Sequence, residues 1–381
     1  MLKLEMLTQQ ATLLAEGSAE DEGVRIMQIC NACRYCEGFC AVFPAMTRRA
    51  EFNISDIHYL SNLCHNCGAC LYACQYAPPH EFSVNVPQTF ARIRKETYIA
   101  FSWPKSFGIL YKNNGIFVSL AVSIAVILFL LFSFSRNGAL KNLPVNGDFY
   151  SLISHNSMAI TFGVFFGFSI IALGVGVTQF WRNISVKEIS IPAWGEAIND
   201  TLTMKYLGGG HGDGCNNADD SYSLLRKYFH HLTFYGFMLC FFSTAIATMY
   251  HYLLDLHAPY GYASLPVIFG FLGGVGLLIG PIGLLYLNYL RNPEQVDGTQ
   301  IPMDRAFIVL LFLISFSGLA LLFFRTSTYM SVLMAIHLGI VMGFFLTMPY
   351  SKFAHGVYRL AALLKNAIEK RQKNAVQFGS D

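Results

Sequence analysis

From about residue 116 onward, long apolar runs alternate with short polar stretches. The runs lie near 116–135, 158–180, 229–254, 265–290, 305–324 and 331–351. Each approaches the roughly 20 residues with which an α-helix crosses a ~30 Å hydrocarbon layer, so six spanning helices are expected. The fourth, "FGFLGGVGLLIGPIGLL", is rich in glycine and contains Pro281. In a lipid setting that pattern predicts close helix packing with a tolerated kink. Residues 1 to about 100 are patterned differently, with polar positions throughout and no run long enough to span.

Composition agrees with a bilayer-embedded chain, since 54% of its 381 residues are hydrophobic and only 13% charged, against about 25% charged in soluble domains. A net charge of +3, with no basic run interleaved with aromatics, gives no reason to expect a nucleic-acid partner. The N-terminal "MLKLEMLTQQATLLAEGSAEDEG" carries acidic residues and lacks the apolar core of a signal peptide. Ser18 or Asp21 is placed to cap a helix leading into the first cysteines.

Basic residues set the expected sidedness. With the head inside, the inner loops hold Arg182, Lys187, Lys205, Arg226, Lys227, Arg291 and Arg305, and the inner tail adds Lys352, Arg359, Lys365, Lys370, Arg371 and Lys373. The outer loops hold only Arg136, Lys141 and Arg325. Both termini are therefore expected in the cytoplasm, where closely spaced thiols bind metal more often than they form disulfides.

Eight of the ten cysteines lie in two runs of the same spacing, "CNACRYCEGFC" from Cys30 to Cys40 and "CHNCGACLYAC" from Cys64 to Cys74. The spacing C-x2-C-x2-C-x3-C is that of [4Fe–4S] ligation, in which the fourth thiolate of each run serves the other cluster. Cys30, Cys33, Cys36 and Cys74 are thus expected at one cluster, and Cys64, Cys67, Cys70 and Cys40 at the other. Structural zinc is the alternative. The pattern departs from the usual one in having no proline directly after the fourth cysteine; Pro44, Pro78 and Pro79 come later. His58, His65 and His80 are expected to be polar surface or supporting residues, and Cys215 and Cys240 structural ones.

Histidines inside membrane segments are costly and mark function. His337 and His355 are 18 residues apart, five helical turns or roughly 27 Å, so a helix regular through Pro349 turns both to one side. His230 and His251 lie within about 60° of one another on an ideal helix. Because these two spans run antiparallel, His230 faces His355 near the inner surface and His251 faces His337 near the outer one. Paired imidazoles of that kind suit one or two b haems, with the choice between His230 and the adjacent His231 left open. Water or headgroup contact is the plainer reading of the histidines near the interfaces. His155, His211 and His257 read as loop residues. The inner loop "KYLGGGHGDGCNNADDSYSLLRKYFHH" fails the G-x-G-x-x-G register and follows no strand, so no flavin is expected on this chain. It is expected to dock on a partner or on the head.

The cysteine quartets, the six spans and "YLGGGHGDGCNN…SLLRKYFHHLTFYGF" together resemble the tricarballylate/citrate-utilisation B proteins, over essentially the whole chain. They are also similar to the membrane half of a fused flavin, iron–sulfur and haem protein of cobalamin synthesis. Separately, "HLGIVMGFFLTMPYSKFAH" resembles the last helix of the respiratory nitrate reductase gamma subunit, which implies haem-ligand positions for His337 and His355. The resemblance implies a bacterial inner-membrane electron-transfer protein with an FAD-dependent dehydrogenase partner. That partner oxidises tricarballylate to cis-aconitate, and the reducing equivalents pass to membrane quinone.

The expected fold is mainly α. A ferredoxin-like head for two [4Fe–4S] clusters occupies 1–105, and a transmembrane six-helix haem-binding bundle occupies 106–360, with a cytoplasmic loop at 181–228. A basic cytoplasmic tail occupies 361–381. A redox-sensing membrane receptor competes with this reading, though only a short basic helix follows Arg359. A transporter fits less well, because the spans hold few polar pairs and no inverted repeat.

Overall fold

The structure is a computed structural model and describes residues 17–137, 148–184, 190–209 and 212–372. Lys141, Lys187, His211 and Lys373 lie outside the described residues, as does the side chain of Arg136. Among the described residues the head is entirely helical: α1 (Ala19–Cys33), α2 (Val42–Met46), α3 (Ile54–Leu63), α4 (Ala69–Tyr72) and α5 (Val86–Ala100). Two of these helices start on capping boxes. The Ser18 hydroxyl accepts from the Asp21 amide while the Asp21 carboxylate accepts from the Ser18 amide, and Asn53 with Asp56 does the same for α3. Each box satisfies two amides that a helix start leaves open. Helix α5 packs on α1 and α3, burying Phe90 and Ile93 beside Ile57 and Leu60.

Six helices are long and apolar enough to cross a membrane, which makes this a multi-pass membrane protein. They comprise α6 (Asn114–Asn137), α7 (His155–Asn183), α9 (Leu225–Leu253), α10 (Leu265–Leu290), α11 (Ile301–Phe323) and α12 (Met330–Thr347). Between the second and third spans lie α8 (Ile191–Leu202) and a short antiparallel pair, β1 (Cys215–Asn216) and β2 (Tyr222–Ser223). The glycine-rich span holds together through Pro281, and its glycines lie against α9. A Cβ on Gly273 would come 2.7 Å from the Gly236 carbonyl oxygen, and one on Gly280 would come 2.5 Å from Thr233 Oγ1. Backbone-to-backbone approach of this kind replaces the hydrophobic effect, which lipid removes as a driving force between helices.

The last apolar run differs from the regular helix expected of it. Helix α12 stops at Thr347, Met348–Tyr350 form a 3-10 turn, and α13 (Ala354–Glu369) follows. Pro349 has no amide to donate, so carbonyls around it need other partners. Tyr111 Oη donates to the Pro349 carbonyl at 2.7 Å, and the Asn114 amide donates to the Tyr350 carbonyl. His337 and His355 therefore sit on two helices, and a single helical phase no longer relates them.

Helix α13 runs through the expected boundary at 360/361 and docks on the head. It packs against α3, α7 and α8, burying Leu363, Leu364, Ala367 and Ile368. The basic residues that set the expected sidedness fasten this docking. Arg49 bridges Asp56 at 2.7 Å and Glu369 at 2.5 Å. Lys365 Nζ donates to the Ile184 carbonyl at 2.7 Å, and Lys370 and Arg371 hold Glu196 at 2.7 and 2.6 Å. On the other flank the 291–300 segment grips α5. Asn85 donates to the Glu294 carbonyl at 2.8 Å, and Lys95 donates to Thr299 Oγ1 at 2.9 Å.

Two predictions follow from this docking. Glu369→Ala leaves Arg49 buried without a carboxylate partner on α13, and breaking such a pair costs about 3–5 kcal/mol. A chain stopped after Leu360 should lose more, read as a lower melting temperature in detergent. His58 is buried against Thr97, with Nδ1 and Oγ1 2.8 Å apart, and burial holds its pKa below the ordinary value although Glu20 opposes this. The unfolded chain then binds more protons, so stability is complete above pH ~6.5 and falls as the pH drops below it. His58→Gln should flatten that limb in thermal melts taken between about pH 5 and 7.

Candidate functional site

The first cysteine run starts inside a helix and leaves it. Cys30 and Cys33 lie in the last turn of α1, Arg34 ends it with φ 56°, and the following turn carries Cys36 and Cys40. In the second run, Cys64 directly follows α3, and Gly68 reverses the chain at φ 88° before Cys70 on α4. That φ is open to glycine, and a Cβ there would come 2.5 Å from Gln295 Nε2.

These turns bring the thiols together across the two runs. Cys30, Cys33, Cys36, Cys70 and Cys74 line a cavity of about 240 Å³. Burial, then the neighbouring thiols of Cys74, Cys36 and Cys33, push Cys30 up to about 12. The second group forms around Cys40. Burial and then Cys67 and Cys64 raise the Cys40 thiol, and burial followed by Cys67, Cys64 and Cys40 raises Cys70. Thiols so placed become thiolates only around compensating cations, which is the chemistry of a ligand set. Among the described residues, no three or more His, Cys, Asp or Glu side chains close around a single ion. Five thiols lining one space exceed the four ligands of a tetrahedral zinc, which favours iron–sulfur ligation over a single zinc ion.

Cys215, expected to be structural, sits against the second group. It is the largest charged neighbour of Cys67, whose thiol burial pushes up to about 12. The Asn216 amide donates to the Cys67 carbonyl at 3.0 Å, and Cys215 shares a small core with Cys67, Ala69, Met204 and Leu207. The glycine-rich loop thus docks on the head, where Gly214 adopts φ 115°. Its glycines were the available signal. Cys240 meets only the tight α9–α10 contact, near Gly273. His58 and His65 are buried, so of the two placements expected for them the surface one does not hold. His65 Nδ1 donates to the Leu63 carbonyl at 2.9 Å, and burial, followed by the nearby Arg359, holds its pKa well below the usual range. His80 stays near the surface, accepting from the Phe82 amide at 3.0 Å.

Beside the second thiol group opens a cavity of about 580 Å³ between head and spans, within the size range of cofactor pockets. His65 and Asn66 of the head form one wall, and His230 and His355 another. The rings of His230 and His355 face each other at 6.1 Å between centroids, inclined by 69°. His355 Nδ1 donates to the Lys352 carbonyl. His230 Nδ1 is buried without a partner. His231 turns to Tyr235, with rings 5.8 Å apart, so of the adjacent pair it is His230 that lies beside His355.

On the far side the expected pairing is not formed. His251 stacks on His155 at 3.7 Å, and its Nδ1 lies 3.0 Å from Nδ1 of His257. His337 Nδ1 lies 3.0 Å from Ser317 Oγ, and Gly318 leaves room for its ring. Helical phase assigned a side to each histidine but could not choose its neighbour.

Four arginines border the junction of head and spans, three of which, Arg226, Arg291 and Arg359, register in the sequence only as orientation charges. Arg226 and Arg291 donate to the Asn66 carbonyl at 2.6 and 2.7 Å. Arg94 and Arg359 donate to the Cys64 carbonyl at 3.3 and 2.9 Å.

The family model described as Citrate utilization protein B matches residues 111–376, and that of its Fer4-like domain matches residues 23–100. Among curated proteins, the Citrate utilization protein B of Escherichia coli is 55% identical over 381 residues, covering the whole of both chains. No solved structure matches the chain.

If the two runs exchange their fourth cysteine, Cys74→Ser should disturb the same cluster signal as Cys33→Ser. Cys40→Ser should disturb the signal lost in Cys67→Ser. Anaerobic EPR of the reduced variants reads this directly, and a ligand set confined to each run would pair Cys40 with Cys33.

Proposed function

Because the chain belongs to the Citrate utilization protein B family, we propose that it is the membrane electron-transfer subunit of a tricarboxylate-oxidising system. It takes electrons from a reduced FAD-dependent dehydrogenase subunit that converts tricarballylate to cis-aconitate, and delivers them to membrane quinone. Two [4Fe–4S] clusters and a b haem, when bound, supply one-electron carriers between a two-electron donor and a two-electron acceptor. The observation that carries the reading is the shared cavity, which has the Cys64–Cys67 turn at one wall and the His230–His355 pair at another.

In this reading Cys30, Cys33, Cys36 and Cys74 hold one cluster, and Cys40, Cys64, Cys67 and Cys70 hold the other. The Asn66 amide, which lies 3.3 Å from Cys64 Sγ, stabilises negative charge on that sulfur. His230 and His355 would hold the iron of a b haem, which would serve there as a one-electron carrier. Apolar walls from Phe237 and Phe353 keep water from the space between them. The protein sits in the bacterial inner membrane, with the head and both termini on the cytoplasmic side, where the dehydrogenase docks. The distribution of basic residues supports that orientation.

The protein purified anaerobically in detergent should contain close to eight non-haem irons with matching sulfide, together with b-haem absorbance. A quinone analogue should reoxidise it after reduction. Near-stoichiometric zinc without sulfide or haem would refute the proposal. His230→Ala and His355→Ala should each abolish the six-coordinate haem spectrum while sparing the cluster EPR, and His231→Ala should retain both.

A further inference from the structure

The arginines around the Cys64–Asn66 turn come from four separate elements: Arg94 from α5, Arg226 from the start of α9, Arg291 from just past α10, and Arg359 from α13. All four line the 580 Å³ cavity. Their hydrogen bonds end on neutral acceptors. Arg94 reaches the Ser61 and Cys64 carbonyls, Arg359 the Cys64 carbonyl, Arg226 the Asn66 carbonyl, and Arg291 the Asn66 carbonyl and Gln295 Oε1. None of the four forms an ion pair with a carboxylate among the described residues. The acidic side chains of this wall are engaged elsewhere, Asp304 with Lys352 at 2.8 Å and Asp200 with Lys205 at 3.4 Å. Arg359 Nε is buried without any partner.

Uncompensated buried cations are strongly disfavoured, so this cluster calls for anions that the described chain does not supply. Burial, and then Arg226, hold the Arg291 guanidinium down to about 9, in keeping with that need. The guanidinium fork matches the two oxygens of a carboxylate. We propose that Arg94, Arg226, Arg291 and Arg359 form a receptor for paired carboxylates on a ligand that fills the cavity between head and spans. Those carboxylates have two chemical sources, the side chains of a b haem held by His230 and His355, or a free tricarboxylate. The first source rests on the haem reading above, and the second does not.

Full-length protein made under haem depletion, with its clusters reconstituted, distinguishes them when titrated with protohaem, with protohaem dimethyl ester and with tricarballylate. Haem as the source predicts that the free acid binds roughly tenfold or more tightly than the ester. Arg291→Gln and Arg359→Gln should then narrow that ratio toward one, with ester affinity unchanged. Arg291→Lys, which keeps the charge but loses the fork, should fall between. A free acid as the source predicts stoichiometric tricarballylate binding to the haem-free protein, weakened in the same variants, with no discrimination between the porphyrins. Equal binding of both porphyrins together with no tricarballylate binding overturns the receptor and leaves the arginines as counter-charges to the neighbouring thiolates. Failure of the wild type to bind either porphyrin refutes the haem reading alone, and tricarballylate binding then decides the receptor.

Discussion

Two carbonyl oxygens, those of Cys64 and Asn66, organise the junction between the head and the membrane helices. Four guanidiniums converge on them from the head, from two spans and from the helix after the last span. Hydrogen bonds from a charged donor contribute about 1.5–3 kcal/mol each, and here they join elements up to 295 residues apart. The turn they hold carries Cys64 and Cys67, so the position of the second thiol group relative to the bundle depends on these bonds. Each also carries a cost, because four like charges are buried together.

That junction explains why a polar, cysteine-rich head shares a chain with six apolar helices. A soluble head on a flexible tether would leave any carriers at variable distance from the membrane. Here the 291–300 segment, the glycine-rich loop and α13 clasp the head on several sides. The His230–His355 pair then lies across one cavity from the Cys64–Asn66 turn. Lipid-facing surfaces are left to other helices. Only 11% of the most apolar stretch of α6 or α9 is buried inside the protein, against 56% for the segment containing α12 and α13, so the last apolar run forms the centre of the assembly.

The charges that orient a membrane protein have a second use in this one. Lys352, Lys365, Lys370 and Arg371 each meet a carboxylate of another element or of their own helix. In a sequence they register only as an excess of positive charge on one side. In the fold they tie the last helix to the fifth span and to the helix at Ile191–Leu202. The pair of Lys352 with Asp304 is more enclosed, and so screened less, than the more exposed pairs of Lys370 and Arg371 with Glu196.

Composition, apolar run length and cysteine spacing were enough to establish a helical membrane protein of six spans with a head built on two matching thiol runs. Those properties are local: a span is counted in consecutive residues, and a quartet lies within eleven. The sequence also placed His230 and His355 on the same side, since antiparallel spans and the position of each histidine along its helix decide that much. What only the tertiary structure decided were the contacts between segments distant in sequence. It broke the last run at Pro349, whose carbonyl finds its donor in Tyr111, and it set His251 against His155 instead of His337. It brought Cys215 beside Cys67 and drew four arginines onto one turn. Spacing and periodicity fix which way a side chain points along its own element, whereas its neighbour depends on how the elements pack, and no local pattern encodes that.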